Sequence, residues 1–246
     1  MQQELGFAHF LTHADAVGTI LLWILLLMSV ATWYLIVLKS VSNWRLKHRR
    51  QNFLIMFHEA PNLDAVADYV SHTGVADPFT HLTHHGLKAA EQYRNRTGQR
   101  LIETAPPDEF LTRALRRAIE QDTARLEHGL TVMASVASSA PFIGLFGTVW
   151  GIYHALLAIG LSGQSSLDKV AGPVGEALIM TALGLAVAIP AVLAYNYFSR
   201  SNRLVLAELD GFAHDLFAFM VTGIRAYAPN YISKSSGQQQ HVAGGV

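Results

Sequence analysis

The chain has 246 residues, of which 51% are apolar and only 15% are charged, whereas a soluble domain usually carries about 25% charged residues. The 18 lysines and arginines balance the 18 aspartates and glutamates, which argues against a nucleic-acid-binding protein, because such proteins carry a basic excess. The absence of cysteine excludes a disulfide scaffold, cysteine-ligated metal sites and thiol catalysis.

The first predicted element is a transmembrane helix over residues 16–38, which carry no charge. At the standard rise this helix is about 35 Å long, enough to cross a hydrocarbon core of about 30 Å. Residues 1–15 precede it and contain Glu4 and Asp15 but no lysine or arginine. Because a signal peptide begins with a basic region, we expect residues 16–38 to be retained as a membrane span.

Residues 39–128 are predicted to form a helical domain on the cytoplasmic side. Basic residues near the ends of spans mark that side of the membrane, and they follow the first and third spans here. The N-terminus is therefore predicted to be periplasmic. The basic cluster after the first span is interpreted as a topology determinant that contacts lipid headgroups, with a role in docking a partner as the alternative. These basic residues are Lys39, Arg45, Lys47, Arg49, Arg50, Arg200 and Arg203.

Two further spans are predicted over residues 129–160 and 171–199, joined by a periplasmic loop at 161–170. The third span is expected to continue as a cytoplasmic helix over residues 200–228, because apolar residues recur there at intervals of three and four. Residues 229–246 are rich in serine, glycine and glutamine and are expected to be disordered. The recurring residues are Leu209, Phe212, Leu216, Phe219 and Gly223.

No proline occurs between Pro107 and Pro141, and Asp108 with Glu109 makes a good acidic helix start. We therefore predict one continuous helix from about Asp108 to Gly160. No segment has the pattern of a strand. The predicted fold is an all-α membrane protein with three transmembrane helices, of which the second and third extend into the cytoplasm.

Small residues recur at helical spacing in the second and third spans, and in lipid such stripes mark faces where helices pack closely. Each stripe carries one threonine, Thr148 or Thr181. Two interpretations are open: a packing face whose hydroxyls bond to their own helix, or a narrow polar track lined by both threonines. The stripes are Pro141, Gly144, Thr148, Gly151 and Ala155, and Ala177, Thr181, Gly184, Ala188 and Ala191.

Glu176 is the only acidic residue inside the third predicted span. Because a charge within the bilayer costs a few kcal/mol or more, such a residue is a candidate functional site. It is separated from Thr181 by about 140° around the helix, so the two side chains need not face the same way. The alternative is an interfacial acid that reaches water from the helix end.

Other residues suggest weaker hypotheses. Pro190 removes a backbone hydrogen bond deep in the third span, so we expect a kink there. His154 is interpreted as an interfacial histidine, with proton relay as the alternative. His81, His84 and His85 cluster in the cytoplasmic domain, where metal binding is the less favoured reading because no acid lies close to them in sequence.

The sequence shows no motif of an enzyme. The run from Gly144 to Gly147 is not a phosphate-binding loop, because no Gly-Lys-Ser/Thr follows it. No nucleophile elbow of the form Gly-x-Ser-x-Gly occurs. We therefore expect no catalytic residue, no cofactor and no bound metal.

Two segments resemble the signatures of the MotA/TolQ/ExbB proton channel family. Residues 140–152, APFIGLFGTVWGI, resemble its second-span signature. Residues 172–178, GPVGEAL, resemble the third-span signature together with Thr181-Ala182, with AIPAV at 188–192, and with Tyr195-Asn196. The three spans and the large loop between the first two extend this similarity over most of the chain.

The resemblance implies a multi-pass subunit of the bacterial inner membrane. It implies a homo-oligomeric ring, commonly a pentamer, around a single-span ExbD-like partner that brings an essential aspartate. It also implies coupling of the proton motive force, through a TonB-like protein, to outer-membrane transport such as siderophore uptake. The positions of Thr148 and Thr181 would line the pore, that of Glu176 would be the essential acid, and Pro141, Gly144, Gly147, Gly151 and Pro190 would shape the helices.

Within the family, residues 167–176, LDKVAGPVGE, resemble the ExbB branch, whereas Tyr153-His154-Ala155 is closer to the TolQ pattern. The ExbB branch is favoured, with a TolQ-like subunit of the Tol-Pal system as the alternative. A non-conducting membrane scaffold is the alternative from another functional class.

Overall fold

A computed structural model describes residues 16–96, 107–162 and 167–222 of the chain. Three stretches within it are long and apolar enough to cross a membrane, and they lie in the first helix, in the fourth and fifth, and in the last. No strand occurs among these residues, so the predicted all-α membrane fold is confirmed. The helices are α1 (Ala16–Glu59), α2 (Leu63–Thr73), α3 (Pro78–Arg96), α4 (Pro107–Glu127), α5 (Leu130–Ser162) and α6 (Leu167–Thr222).

Some predictions lie outside the described residues. They concern the N-terminal segment 1–15, the tail 229–246, the middle of the predicted loop at 163–166, and Gly223. Where the chain is described, α1 continues beyond the first predicted span to Glu59, and α6 runs unbroken to Thr222.

The prediction of one helix from Asp108 to Gly160 is wrong, because α4 ends at Glu127 and α5 begins at Leu130. Gly129 lies at this break with φ of 83°, a left-handed conformation that ends helices and that glycine adopts without steric cost. A Cβ atom at Gly129 would lie 3.1 Å from Leu35 Cδ2. The conformation at this break therefore favours glycine. Sequence reasoning missed the break, because the prediction of one helix was based on the absence of proline.

The chain divides into two compact units. The first unit consists of all of α5, parts of α1 and α6 and the end of α4. The second consists of α2, α3, most of α4 and the remaining parts of α1 and α6. The described residues of the first unit are 16–44, 126–162 and 167–203, and those of the second are 45–96, 107–125 and 204–222.

In the first unit, α1, α5 and α6 pack together through a narrow apolar core. Other large apolar side chains lie on the outside of this unit, such as Leu27 and Phe142, which are 71% and 70% exposed. Such exposure suits a surface that meets lipid or other membrane helices rather than water. The core residues include Leu21, Leu25, Val136, Ala140, Met180, Ala188 and Ala191.

In the second unit, Phe212 of α6 is the centre of an aromatic cluster. Its ring lies 4.8 Å from that of Phe57 and 5.7 Å from that of Phe53, both on α1, and 5.6 Å from that of Phe79 on α3. Leu209, Phe212, Leu216 and Phe219 are all buried. The apolar stripe found in the sequence is thus the part of α6 that builds this core.

Two short helices of the second unit have side-chain caps at their first turns. Asn62 Oδ1 accepts a hydrogen bond from Ala65 N at the start of α2, and Asp77 Oδ1 accepts from Phe79 N and Thr80 N at the start of α3. These caps satisfy backbone donors that have no partner within the helix. The Asp77 cap fixes where α3 begins and so places His81 in the first turn of that helix.

Candidate functional site

Helices α5 and α6 approach each other through two glycines. A Cβ atom at Gly144 would lie 2.6 Å from the Met180 carbonyl oxygen and 3.0 Å from Gly184 Cα. A Cβ atom at Gly184 would lie 2.7 Å from the Ala140 carbonyl oxygen. No real side chain fits at these separations, so the two backbones are in direct contact, as small residues allow in membrane helices.

The same contact face continues from Gly144 along α5 through two more glycines. A Cβ atom at Gly147 would lie 2.9 Å from Met180 Cε, and one at Gly151 would lie 2.9 Å from Ala177 Cβ. Glycines at these positions thus keep α5 close to α6 over two further turns. Pro141 lies inside α5 and Pro190 inside α6, and both helices continue through them.

Thr148 and Thr181 are brought together between these two helices. The Thr148 hydroxyl is hydrogen-bonded to the Thr181 hydroxyl and lies 3.1 Å from both the Gly144 and the Ala177 carbonyl oxygens. Thr148 is buried, at 6% exposure, whereas Thr181 is half-buried. A hydroxyl has one proton and two acceptor lone pairs, so this pair can exchange donor and acceptor roles without moving the helices.

The surroundings make this pair the polar point of an otherwise apolar interface. On α6, Ala177 and Met180 beside it are 4% and 1% exposed, and Ala188 further along is also buried. Thr148 bonds to its own helix at Gly144, as the packing interpretation expects, and also to the facing helix at Thr181. The polar track lined by both threonines stays a prediction.

Glu176 lies within α6, one residue before the buried Ala177. Its side chain is outside the described part of the structure, so its predicted role stays a prediction. His154, on α5, is half-buried, and its Nδ1 lies 3.1 Å from the Trp150 carbonyl oxygen. Its ring centroid lies 4.5 Å from that of Trp150.

Lys39 has a structural contact that sequence reasoning missed. Its Nζ atom donates to the Leu126 carbonyl oxygen at 2.6 Å, and Asn202 Nδ2 donates to the same oxygen at 2.6 Å. Leu126 lies in the last turn of α4, where carbonyls lack helical partners and a positive charge is favourable. Lys39 therefore holds a helix end in addition to any role as a topology determinant.

The histidine cluster also has a partner that the sequence did not suggest. His81 Nδ1 lies 2.9 Å from Asp122 Oδ2 on α4, and both side chains are buried. The signal was present in α4, because Leu111, Leu115, Ala118 and Asp122 recur at helical spacing and are all buried. An acid on an apolar stripe needs a buried partner. Among the described residues, no group of three or more His, Cys, Asp or Glu is arranged to hold a metal ion.

Comparison with known proteins gives a consistent result. Residues 79–210 match the model of the MotA/TolQ/ExbB proton channel family. The chain is 42% identical over 230 residues to the "Biopolymer transport protein ExbB" of Xanthomonas campestris pv. campestris, covering 90% of this chain and 91% of that protein.

Two further relatives extend the comparison to other organisms. The chain is 44% identical over 194 residues to the "Biopolymer transport protein ExbB" of Neisseria meningitidis serogroup A, covering 78% of this chain and 87% of that protein. It is 31% identical over 207 residues to the "Tol-Pal system protein TolQ" of Haemophilus influenzae, covering 81% and 86%.

Proposed function

Because the chain belongs to the MotA/TolQ/ExbB proton channel family, we propose that it is a stator subunit that conducts protons and couples the proton motive force to transport across the outer membrane. The ExbB branch is the assignment that the two biopolymer-transport relatives favour, at 42% and 44% identity against 31% for the TolQ relative. It is a channel wall, with no covalent chemistry of its own.

The observation that carries the proposal is the Thr148–Thr181 pair. In a membrane helix pair, two hydroxyls that face each other among alanine and glycine form a polar site. At this threonine site, formed by Thr148 and Thr181, protonatable groups or water can find hydrogen-bond partners. Such a site lowers the free-energy cost of bringing a carboxyl group into the bilayer, since an unpartnered charge there costs a few kcal/mol or more. The family resemblance suggests the aspartate of an ExbD-like single-span partner as that carboxyl group.

The driving force is sufficient for mechanical work. One charge that moves through 100 mV releases about 2.3 kcal/mol. Once the partner aspartate is neutralised by a proton, it leaves the threonine site of one subunit and passes along the apolar wall to the threonine site of the next subunit. That motion is passed on to a TonB-like protein.

Glu176 is proposed as the second essential group of this pathway. It lies on α6 one residue before Ala177, the residue that faces Gly151 of α5. Its carboxyl group would sit between neighbouring helices of a homo-oligomeric ring, with a pentamer as the proposed size. The proposed location is the inner membrane, with the N-terminus periplasmic and membrane lipids around the ring.

The test is proton flux into liposomes that contain the purified complex with its single-span partner. The variant Thr148→Val/Thr181→Val keeps side-chain volume and removes both hydroxyls, and we expect it to reduce potential-driven flux at least tenfold. Thr32→Val is the matched control, because the Thr32 hydroxyl is buried and has no hydrogen-bond partner among the described residues. Flux in the double variant equal to that of the control would show that the hydroxyls serve helix packing alone.

The scaffold alternative makes a different prediction in the same liposomes. A non-conducting scaffold would bind its partner with or without a membrane potential and would show no flux above that of liposomes lacking protein. Flux that requires both proteins therefore decides between the two functions.

A further inference from the structure

A buried contact between α3 and α4 in the second unit has no role in the proposed proton pathway. His81 Nδ1 and Asp122 Oδ2 are 2.9 Å apart, and the two side chains are 8% and 3% exposed. Because a carboxylate oxygen only accepts, the proton lies on His81 Nδ1, which donates to Asp122. Buried polar groups of this kind are held only while their partners remain in place.

A second histidine lies directly beside this contact. His85 is one helical turn after His81, and the two ring centroids are 4.5 Å apart. His85 is half-buried, while His84 between them in sequence is exposed. The pKa of His85 is lowered, first by burial and then by the neighbouring His81 and His84. Asp122 acts in the opposite direction but does not offset these effects.

The other charges that act on the cluster come from the same two helices. Lys88 on α3 also disfavours a proton on His85, and Arg125 on α4 lies 3.6 Å from Asp122 Oδ1. The side chains of α6 that approach α3 at Gly86 are apolar, Leu216 and Met220. Among the described residues, Asp122 is the one carboxylate that favours a proton on His85, and it is already bonded to His81.

We propose that His81, His85 and Asp122 form a proton-responsive contact that ties α3 to α4 near neutral pH and opens when His85 takes up a proton. At neutral pH the cluster holds one hydrogen bond between His81 and Asp122 beside a neutral imidazole. A proton on His85 places a positive charge on a ring whose centroid is 4.5 Å from that of His81, beside a carboxylate that is already bonded to His81. The opening of the contact exposes the imidazole to water.

The sign of the pH dependence follows from the direction of the His85 shift. A histidine whose pKa falls on folding binds its proton more weakly in the folded state than in the open one. The stability it provides is complete above the unfolded value of 6.5 and is lost as pH falls below that value. The contact is therefore closed at pH 7.5 and increasingly open toward pH 5.5.

The experiment is hydrogen exchange measured by mass spectrometry on the full-length protein in nanodiscs, with exchange rates corrected for their intrinsic pH dependence. Between pH 7.5 and 5.5 we expect peptides of α3 and of α4 around Asp122 to exchange several-fold faster, up to about tenfold, which is the limit for one proton and one pH unit below the unfolded pKa. Peptides of α5 serve as the internal reference.

Variants assign the effect to individual groups. His85→Gln removes the titrating group and should leave the corrected exchange of α3 nearly flat with pH. His72→Gln is the control, because this exposed histidine on α2 is not among the groups that shift the pKa of His85, so the wild-type profile should remain unchanged. Asp122→Asn keeps the shape of the acceptor but removes the negative charge that favours a proton on His85, so the acid-induced opening should increase.

A flat corrected profile in the wild type, or the same profile in wild type and His85→Gln, would overturn the proposal. A loss of pH dependence in His72→Gln would also overturn it. The measurement needs neither a membrane potential nor a partner protein, so its outcome is independent of the proposed proton-channel function.

Discussion

The hydroxyl of Thr148 is hydrogen-bonded to that of Thr181 one helical turn from the point where Gly144 and Gly184 bring the backbones of α5 and α6 into contact. The two features depend on each other. Threonine hydroxyls are short, so they meet across a helix pair only when the helices approach more closely than larger side chains would allow. The hydrogen bond between the two threonines is therefore a consequence of the contact between Gly144 and Gly184.

Gly144→Ala should weaken this helix pair. The added methyl group would lie 2.6 Å from the Met180 carbonyl oxygen, which is backbone and cannot rotate away. Overpacking of this kind costs about 1–3 kcal/mol, so we expect a lower thermal midpoint of the purified protein and a loss of proton flux. Gly160→Ala is the control, because a Cβ atom there meets nothing within 4 Å. Equal midpoints for the two variants would contradict the close contact.

Gly129→Ala should strain the junction between α4 and α5. An alanine at φ of 83° pays about 1–2 kcal/mol for the left-handed conformation, and its methyl group meets Leu35 at 3.1 Å. We expect a lower midpoint in thermal unfolding monitored by circular dichroism. Gly211→Ala, inside α6 with open space at its Cβ, should instead be neutral or stabilise by up to about 1 kcal/mol. The reverse order of the two midpoints would disprove the assigned helix break.

Phe212→Ala should destabilise the second unit by about 3–5 kcal/mol, since its ring contacts three other phenylalanine rings and is buried. Limited proteolysis would detect this as faster cleavage within residues 45–125. Phe110→Ala removes a ring that is 36% exposed, and we expect cleavage at nearly the wild-type rate. Similar cleavage rates for both variants would mean that Phe212 is not at the centre of this core.

Much of the fold could be predicted because this chain has few charged residues, and most of them lie outside the three membrane spans. The stripe from Leu209 to Phe219 was readable for a similar reason, since its apolar spacing matches one helix face. The break at Gly129 was not predicted, because glycine is common in membrane helices and only its φ angle shows that it ends one.

The candidate site was predictable in its residues and not in its contacts. Small-residue spacing pointed to Thr148 and Thr181 separately, but a hydrogen bond between residues on different helices depends on the register of those helices. Asp122 was missed because its partner His81 is distant in sequence and lies on another helix. The Lys39–Leu126 contact was missed because a basic residue after a span already has a sufficient explanation in topology.

The proposed proton conduction depends on Glu176 and on the single-span partner. The direct measurement is potential-driven proton flux into liposomes holding the purified complex, comparing wild type with Glu176→Gln at equal reconstituted amounts and equal partner content. We predict flux in the wild type that disappears without the partner and falls at least tenfold in Glu176→Gln. Undiminished flux in Glu176→Gln would exclude the role proposed for Glu176, and wild-type flux no greater than that of empty liposomes would exclude proton conduction.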